Sequence, residues 1–201
     1  MAIAPLLYCP PIHFFSRLQG EELLVIEKHD HYNKGTYRNK MEIAGPNGRQ
    51  TLSIPIEKVH GQRPTAHEVR IAYFERWNVN HWRSIQAAYG NSPFFDYYGE
   101  HLKKIYAKPP LLLFEFNLSL LTFVINALKL EIKVEFTQTY KDHYDGTKND
   151  LRFVFGERGY KAATHNVMKY PQVFEDRNGW MNNLSIIDLI MCHGPGAKSY
   201  L

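Results

Sequence analysis

The sequence predicts an α/β fold, a mixed α and β single domain over residues 1–201, with strands mainly in the N-terminal half and helices mainly in the C-terminal half. Strand-type runs occupy much of the chain before residue 74. After residue 77, apolar residues recur at helical spacing. A chain of 201 residues with 44% hydrophobic residues is long enough to bury one core.

The first predicted unit is a strand, a short helical crossover and a second strand. Residues 3–8 form an apolar run that stops at prolines, and EELLVIEK (21–28) is a second run of strand type. IHFFSRL between them has room for one or two helical turns. The order of these elements is compatible with parallel pairing of the two strands, although a crossover this short is unusual between parallel strands.

A β-hairpin and a further strand are predicted next. Residues 37–44 and 51–57 flank GPNG (45–48), whose Gly, Pro and Asn supply turn geometry. HEVRIAY (67–73) alternates polar and apolar residues, which predicts another strand.

Three helices then follow in succession. NVNHWRSIQAAYG (78–90) ends at Gly90. In the next, Ser92 is placed to cap the helix and Pro93 to occupy its first position, and the helix runs to Lys108 before two prolines. A third, of about 15 residues, starts near Leu111.

The remaining chain is predicted as one strand, a long loop region and a last helix. EIKVEF (131–136) is of strand type, and residues 137–178 have little periodicity except in LRFVF. LSIIDLIM (184–191) is a helix, for which Ser185 and Asp188 have the spacing of a capping box and Gly194 the position of a stop.

Composition restricts the partners only loosely. The formal charge of +4 comes without the dense Lys/Arg blocks typical of nucleic-acid binding, and by itself it favours an anionic small molecule no more than nucleic acid. Nucleic-acid binding would need a continuous basic and aromatic stripe, and no nucleic-acid partner is expected. Cys9 and Cys192 lie far apart without a CxxC pair, which indicates reduced thiols in a cytoplasmic protein. The apolar stretch from Leu111 is interrupted by polar residues, so we expect a buried helix and no membrane span.

HDHYNKGTYRNK (29–40) is the stretch densest in candidate binding residues. Lys34 and Arg38, with neighbouring lysines, could hold a phosphate or carboxylate, and Asn39 could orient a substrate. A solvated basic loop explains the same composition. His29 and His31 point the same way on an extended backbone, but no third ligand is spaced to join them, so no metal is predicted.

His81 and Arg83 are candidates on the first long helix. Trp82, Ile85 and Tyr89 share a face that we expect to contact the core, and each helical residue turns about 100°. His81 then falls at a boundary, where an imidazole could act as general acid or base, or merely be a hydrogen-bonded surface group.

The C-terminal segment adds one further candidate, Asn183. It could reach a site, although turn geometry explains it as well. Cys192 and His193 are adjacent, so on a helix their side chains diverge by about 100° and do not form a catalytic pair. No dinucleotide, Walker A or nucleophile-elbow motif occurs.

Four collinear segments resemble the bacterial WbqC-like family: YCPPIHFFSRL, HYNKGTYRNKMEIAGPNGRQTLSIPIEK, NHWRSIQAAYGNSPFFDYY and the closing NNLSIIDLI…GPGAKSYL. Members commonly begin with a pattern close to QPxYLPWxGYF and continue to an acidic strand end before KxxxQNR. In the second pattern, Lys34 and Asn39 keep the family's Lys and Asn, whereas Lys28 and His29 replace the acidic pair. The chain thus resembles a divergent branch.

The resemblance implies an enzyme of surface-polysaccharide (O-antigen) or nucleotide-sugar metabolism, which transfers a group to or from an anionic small-molecule substrate. Lys34 and His81 would be catalytic, Arg38 and Arg83 would bind the anion, and Asn39 and Asn183 would orient it. A non-catalytic module that binds a sugar nucleotide or a partner protein is the alternative. The resemblance identifies no cofactor.

Overall fold

In the computed structural model, which describes residues 1–58, 63–147, 149–156 and 161–201, six strands form two sheets. The strands are β1 (Ala2–Pro5), β2 (Leu23–Glu27), β3 (Lys40–Gly45), β4 (Gly48–Ser53), β5 (Lys133–Phe136) and β6 (Asn149–Asp150). Helices pack around them, which confirms the predicted mixed fold class.

The helices include three long ones in the middle of the chain. They are α1 (Ile12–Ser16), α2 (Trp77–Tyr89), α3 (Phe95–Ala107), α4 (Leu113–Leu128), α5 (Arg152–Phe155), α6 (Glu175–Asn178) and α7 (Ile186–His193). Short 3-10 turns occupy Ala66–Glu68, Ala162–Thr164 and Gly194–Tyr200. None of the helices in the described part of the chain is long and apolar enough to cross a membrane.

The larger sheet is parallel throughout and has the strand order β5-β2-β1-β6. Ala2 of β1 lies opposite Leu24 of β2 on one side and Asn149 of β6 on the other. Along the chain, successive strands are added on one side of β1 until β6 is placed on its other side. Such a reversal opens a crevice at the carboxyl ends of the strands, where ligands of parallel sheets commonly bind.

The predicted strand, crossover and strand unit is confirmed. β1 and β2 pair in parallel, and α1, only five residues long, lies in the connection between them. The predicted hairpin is also confirmed, because β3 and β4 pair antiparallel with Gly45 opposite Gly48.

The strand predicted over residues 67–73 is wrong. The segment starts as a 3-10 turn, in which Thr65 and Glu68 form a capping box, and then makes isolated bridges at Arg70 and Ile71. Val69 and Ile71 are buried while Arg70 is exposed. The alternation therefore records packing of an irregular segment against the core.

One helix start differs from the prediction and another agrees with it. α3 begins at Phe95, and Ser92 contributes its backbone carbonyl, which accepts a hydrogen bond from the Phe95 N–H at 3.2 Å. Ser185 does cap α7, since its hydroxyl accepts from the Ile187 N–H at 3.4 Å. Gly194 ends α7 as predicted; its φ is +52°, and an added Cβ would lie 2.4 Å from the Phe94 ring.

The long segment 137–178 is mostly irregular, as predicted, but it contributes β6 and α5. Lys148 and residues 157–160 lie outside the described residues. β6 has only two residues, both polar, so no hydrophobic period could indicate it. It nevertheless forms the second edge of the parallel sheet.

Asp188 lies in the first turn of α7, but its side chain is buried and binds Tyr170 instead of completing a capping box. The Tyr170 hydroxyl donates to its Oδ2 at 2.6 Å. Burial raises the pKa of Asp188 from 3.8 to about 6, although hydrogen bonds from Tyr170 and neighbouring groups oppose this shift. The core thus contains a carboxyl group that titrates at mildly acidic pH.

We expect the variant Asp188→Asn to lose part of the pH dependence of stability. Because the folded carboxyl binds its proton more tightly than the unfolded one, the wild type loses stability as the pH rises between about 4 and about 6. The loss amounts to at most about 3 kcal/mol. Urea unfolding at several pH values in this range measures the free energy of unfolding of both proteins. If that free energy changed with pH equally in the wild type and in the variant, Asp188 would not be the titrating group.

Candidate functional site

A cleft of about 450 Å³ lies where the connections after β2, β5 and β6 meet. We call it the carboxyl-edge cleft, because these connections leave the carboxyl ends of parallel strands. Its described lining consists of Asp30, His31, Asn33, Arg38, Arg63, Tyr140, Arg152, Phe153 and Gly156. The position agrees with the strand-order reversal on either side of β1.

Arg152 lies two residues after the end of β6, is only 5% exposed and is held by several acceptors. Its Nη2 donates to Asp150 Oδ2 at 2.7 Å, and its Nε donates to Asp150 Oδ1 at 3.0 Å. Nη1 and Nη2 also donate to the carbonyls of Lys141 and Asp142 at 2.7 and 2.8 Å. The guanidinium is therefore fixed in one orientation.

Glu27 connects this arginine to the ends of two other strands. It is fully buried at the end of β2, and one of its oxygens lies 3.6 Å from Arg152 Nη1. Its carboxylate accepts hydrogen bonds from the hydroxyls of Thr137, after β5, and Tyr144, each at 2.8 Å. A polar network that reaches the cleft through Arg152 thus joins the ends of β2, β5 and β6.

Arg38 forms a second buried pair in the cleft wall. Its Nη1 donates to Asp30 Oδ1 at 3.0 Å and its Nη2 donates to the other oxygen of the same carboxylate. Its backbone carbonyl accepts from Asn117 of α4 at 2.8 Å. The Nε has no partner among the described residues.

Gly156 allows the chain to pass close to both arginines. An added Cβ would lie 2.5 Å from the Arg152 carbonyl oxygen and 3.1 Å from Arg38 Nη2. The Gly156 carbonyl also accepts from Asn33 Nδ2 at 3.4 Å. Glycine at this position therefore brings the loops after β2 and β6 together.

Arg63 and His31 are the exposed polar groups of the cleft. His31 Nδ1 lies 3.2 Å from the Arg63 carbonyl oxygen, and because a carbonyl can only accept, Nδ1 carries the proton in this contact. The Nε2 is then the basic nitrogen. Within the described chain, Arg63 forms no ion pair with a carboxylate.

Two exposed aromatic rings complete the lining. Tyr140 is 46% exposed and Phe153 is 56% exposed. The Arg152 guanidinium carbon lies 5.6 Å from the Tyr140 ring centroid and 5.3 Å from that of Phe153. Both rings are thus in contact range of the same fixed cation.

The sequence predicted that His81 lies at a boundary, but the side chain is only 6% exposed. Of the predicted core face, Ile85 and Tyr89 are buried, whereas Trp82 is only partly buried. The buried face of α2 extends instead through Trp77 and His81. Nδ1 of His81 lies 2.9 Å from the Tyr8 hydroxyl, and burial lowers the pKa of His81 to about 4. It is a neutral core histidine outside the described cleft lining.

Asn183 and Asn39 occupy structural positions. Asn183 is fully buried, accepts from the His13 N–H at 2.9 Å and donates to the Ala162 carbonyl at 2.8 Å. Asn39 donates to the Ile54 carbonyl at 2.8 Å. Both amides therefore connect segments of the backbone.

Lys34 and Arg83 are exposed and do not belong to the described lining of the cleft. Lys34 is on the same loop as Asn33, whereas Arg83 is on α2. Of the six residues predicted from sequence, the structure brings only Arg38 to the cleft. The roles predicted for all six stay predictions.

Sequence reasoning missed most of the cleft. Asp30 and His31 belong to the stretch that was singled out, but their position after β2 at the carboxyl edge gives them their significance. Arg152 and Phe153 belong to LRFVF, whose short apolar pattern was the only signal in that region. Arg63 and Tyr140 carried no sequence signal.

Chemically, the cleft suits an anion better than a metal ion. In the described residues, no three His, Cys, Asp or Glu side chains gather in a way that could hold a metal. The cleft instead contains three arginines, two of them fixed by carboxylates.

One comparison with known proteins gives a match. The model of the WbqC-like protein family matches residues 7–154, which include the strands from β2 to β6 and the cleft residues up to Phe153. No curated protein and no solved structure matches the chain. Because the family model covers well over half of the sequence, the protein belongs to the WbqC-like family, as its motifs predicted.

Proposed function

We propose that the protein is an enzyme of surface-polysaccharide or nucleotide-sugar metabolism that transfers a group to or from an anionic substrate bound in the carboxyl-edge cleft. The family name, which comes from O-antigen gene clusters, supports the metabolic setting. The observation that carries the proposal is the arginine-lined cleft at the strand-order reversal.

Arg63 is the group that would bind the anion directly. It is exposed in the cleft and free of carboxylate partners in the described chain, so its guanidinium can contact a phosphate or carboxylate. Arg38 lines the same cleft, with its orientation fixed by Asp30. Cations held in place before the ligand arrives do not need to reorganise during the reaction.

His31 would carry the proton. Its Nδ1–H contacts the Arg63 carbonyl, which leaves Nε2 free to accept a proton from the attacking hydroxyl or amine. As the new bond to the transferred group forms, the bond between that group and its donor breaks, and the donor leaves with the electron pair. Histidine is the side chain that commonly exchanges protons near neutral pH. His31 is the histidine of the cleft lining, whereas His81, for which the sequence predicted this role, is packed in the core.

A non-catalytic module that binds a sugar nucleotide is the second candidate. It is favoured by one observation: the described cleft lining contains no buried acid–base group outside an ion pair, because Asp30 is bound to Arg38 and His31 is exposed. Binding alone needs only the arginines and the rings.

The variant Arg63→Ala is expected to bind pyrophosphate about ten-fold more weakly than the wild type, because it loses a charge-assisted hydrogen bond. Isothermal titration calorimetry at fixed ionic strength measures the effect. Arg83→Ala is the matched control, since Arg83 is also an exposed arginine but is not part of the cleft. Equal losses in both variants would indicate a nonspecific charge effect and contradict the site.

The variant His31→Gln separates the two candidate functions. For an enzyme, we expect group transfer between sugar nucleotides and an acyl-CoA donor, followed by mass spectrometry, to fall about 100-fold, because the proton acceptor is lost. Pyrophosphate affinity should stay within about two-fold, since glutamine keeps a polar side chain without titrating. Unchanged turnover by the variant would exclude His31 as the base. If the wild type binds these ligands but converts none of them, the binding module is favoured.

A further inference from the structure

The exposed rings of Tyr140 and Phe153 point to the chemical class of the ligand. We infer that these two rings form a stacking surface for an aromatic base, so that the anionic substrate is a nucleotide; this inference rests on the proposed use of the cleft. We call Tyr140 and Phe153 the aromatic pair.

The aromatic pair exposes apolar surface that folding alone does not require. Phe153 is 56% exposed, although Arg152 and Phe155 of the same short helix are buried. Tyr140 is 46% exposed in the connection after β5. Exposed aromatic rings that line a cleft commonly mark a binding surface.

The aromatic pair also stands on a rigid base. Both rings are within contact range of the Arg152 guanidinium, which is fixed by Asp150 and by two backbone carbonyls. Tyr144, whose ring centroid lies 5.0 Å from the same guanidinium, is tied to Glu27 through its hydroxyl. Rings held in this way lose little conformational freedom when a planar group stacks on them.

The aromatic pair and the exposed cation Arg63 lie in the same cleft. Tyr140, Phe153 and Arg63 all line it, so a ligand with a planar ring at one end and a phosphate at the other would use all three groups. A simple phosphate or carboxylate would contact Arg63 and leave the rings unused. Since bases stack on aromatic side chains with little dependence on base identity, the observation predicts a nucleotide without specifying its base.

The test compares pyrophosphate, glucose 1-phosphate, UDP and ADP by isothermal titration calorimetry. We expect the better of the two nucleotides to bind about ten-fold more tightly than pyrophosphate, which is within the range that base stacking adds. The double variant Tyr140→Ala/Phe153→Ala should lose this advantage and keep its pyrophosphate affinity within about two-fold.

Two controls separate stacking from general effects. Phe74→Ala removes another exposed ring, which is 76% exposed and not part of the cleft, and should leave nucleotide affinity unchanged. Tyr140→Phe keeps the ring and should retain the nucleotide advantage. Thermal unfolding of each variant verifies that the fold is intact.

The outcomes distinguish the two proposals. If UDP and ADP bind no more tightly than pyrophosphate, or if the double variant keeps the nucleotide advantage, the inference is wrong while the anion site stands. If glucose 1-phosphate binds more tightly than pyrophosphate and the nucleotides do not, and if the double variant loses this difference in affinity, the rings stack on a sugar and the nucleotide inference is wrong. If none of the four ligands binds, the proposed function fails as well.

Discussion

The contact between Arg152 and its two carboxylates is the constraint on which the carboxyl edge of the sheet depends. Asp150 ends β6, Glu27 ends β2, and the guanidinium lies between them, so one cation fixes the relative position of two strand ends on opposite sides of β1. Removing one partner of a buried pair leaves an uncompensated charge and typically costs about 3–5 kcal/mol. The geometry of the cleft is therefore coupled to the integrity of the sheet.

The same charges that hold the cleft together also limit its chemistry. Arg38 is neutralised by Asp30 and Arg152 by Asp150 and Glu27, so the only cation in the described lining without a carboxylate partner is Arg63. Each of the two buried arginines belongs to a fixed ion pair beside the cleft, whereas Arg63 can contact a ligand directly. Recognition would then depend on one exposed charge and the aromatic pair.

Elements that are long and periodic could be predicted from the sequence. Predictions failed where tertiary packing determines whether a segment forms a strand or which side chains of a helix are buried. The order of β1, α1 and β2, the hairpin and the three long helices follow from local patterns. β6 is too short and polar to have a period, and the helical phase of α2 could not distinguish His81 at a boundary from His81 in the core. Most cleft residues were missed because their proximity is created by parallel pairing of strands distant in sequence, which no local pattern records.

Arginine side-chain NMR tests the central claim that the carboxyl-edge cleft binds anions. In protein labelled with ¹⁵N, the Nε–H signals of individual arginines can be followed while pyrophosphate is added. The account predicts saturable shifts of the Arg63 and Arg38 signals, while those of the exposed Arg70 and Arg83, which are not part of the cleft, stay in place. Shifts confined to Arg70 or Arg83, with Arg63 and Arg38 unchanged, would contradict it.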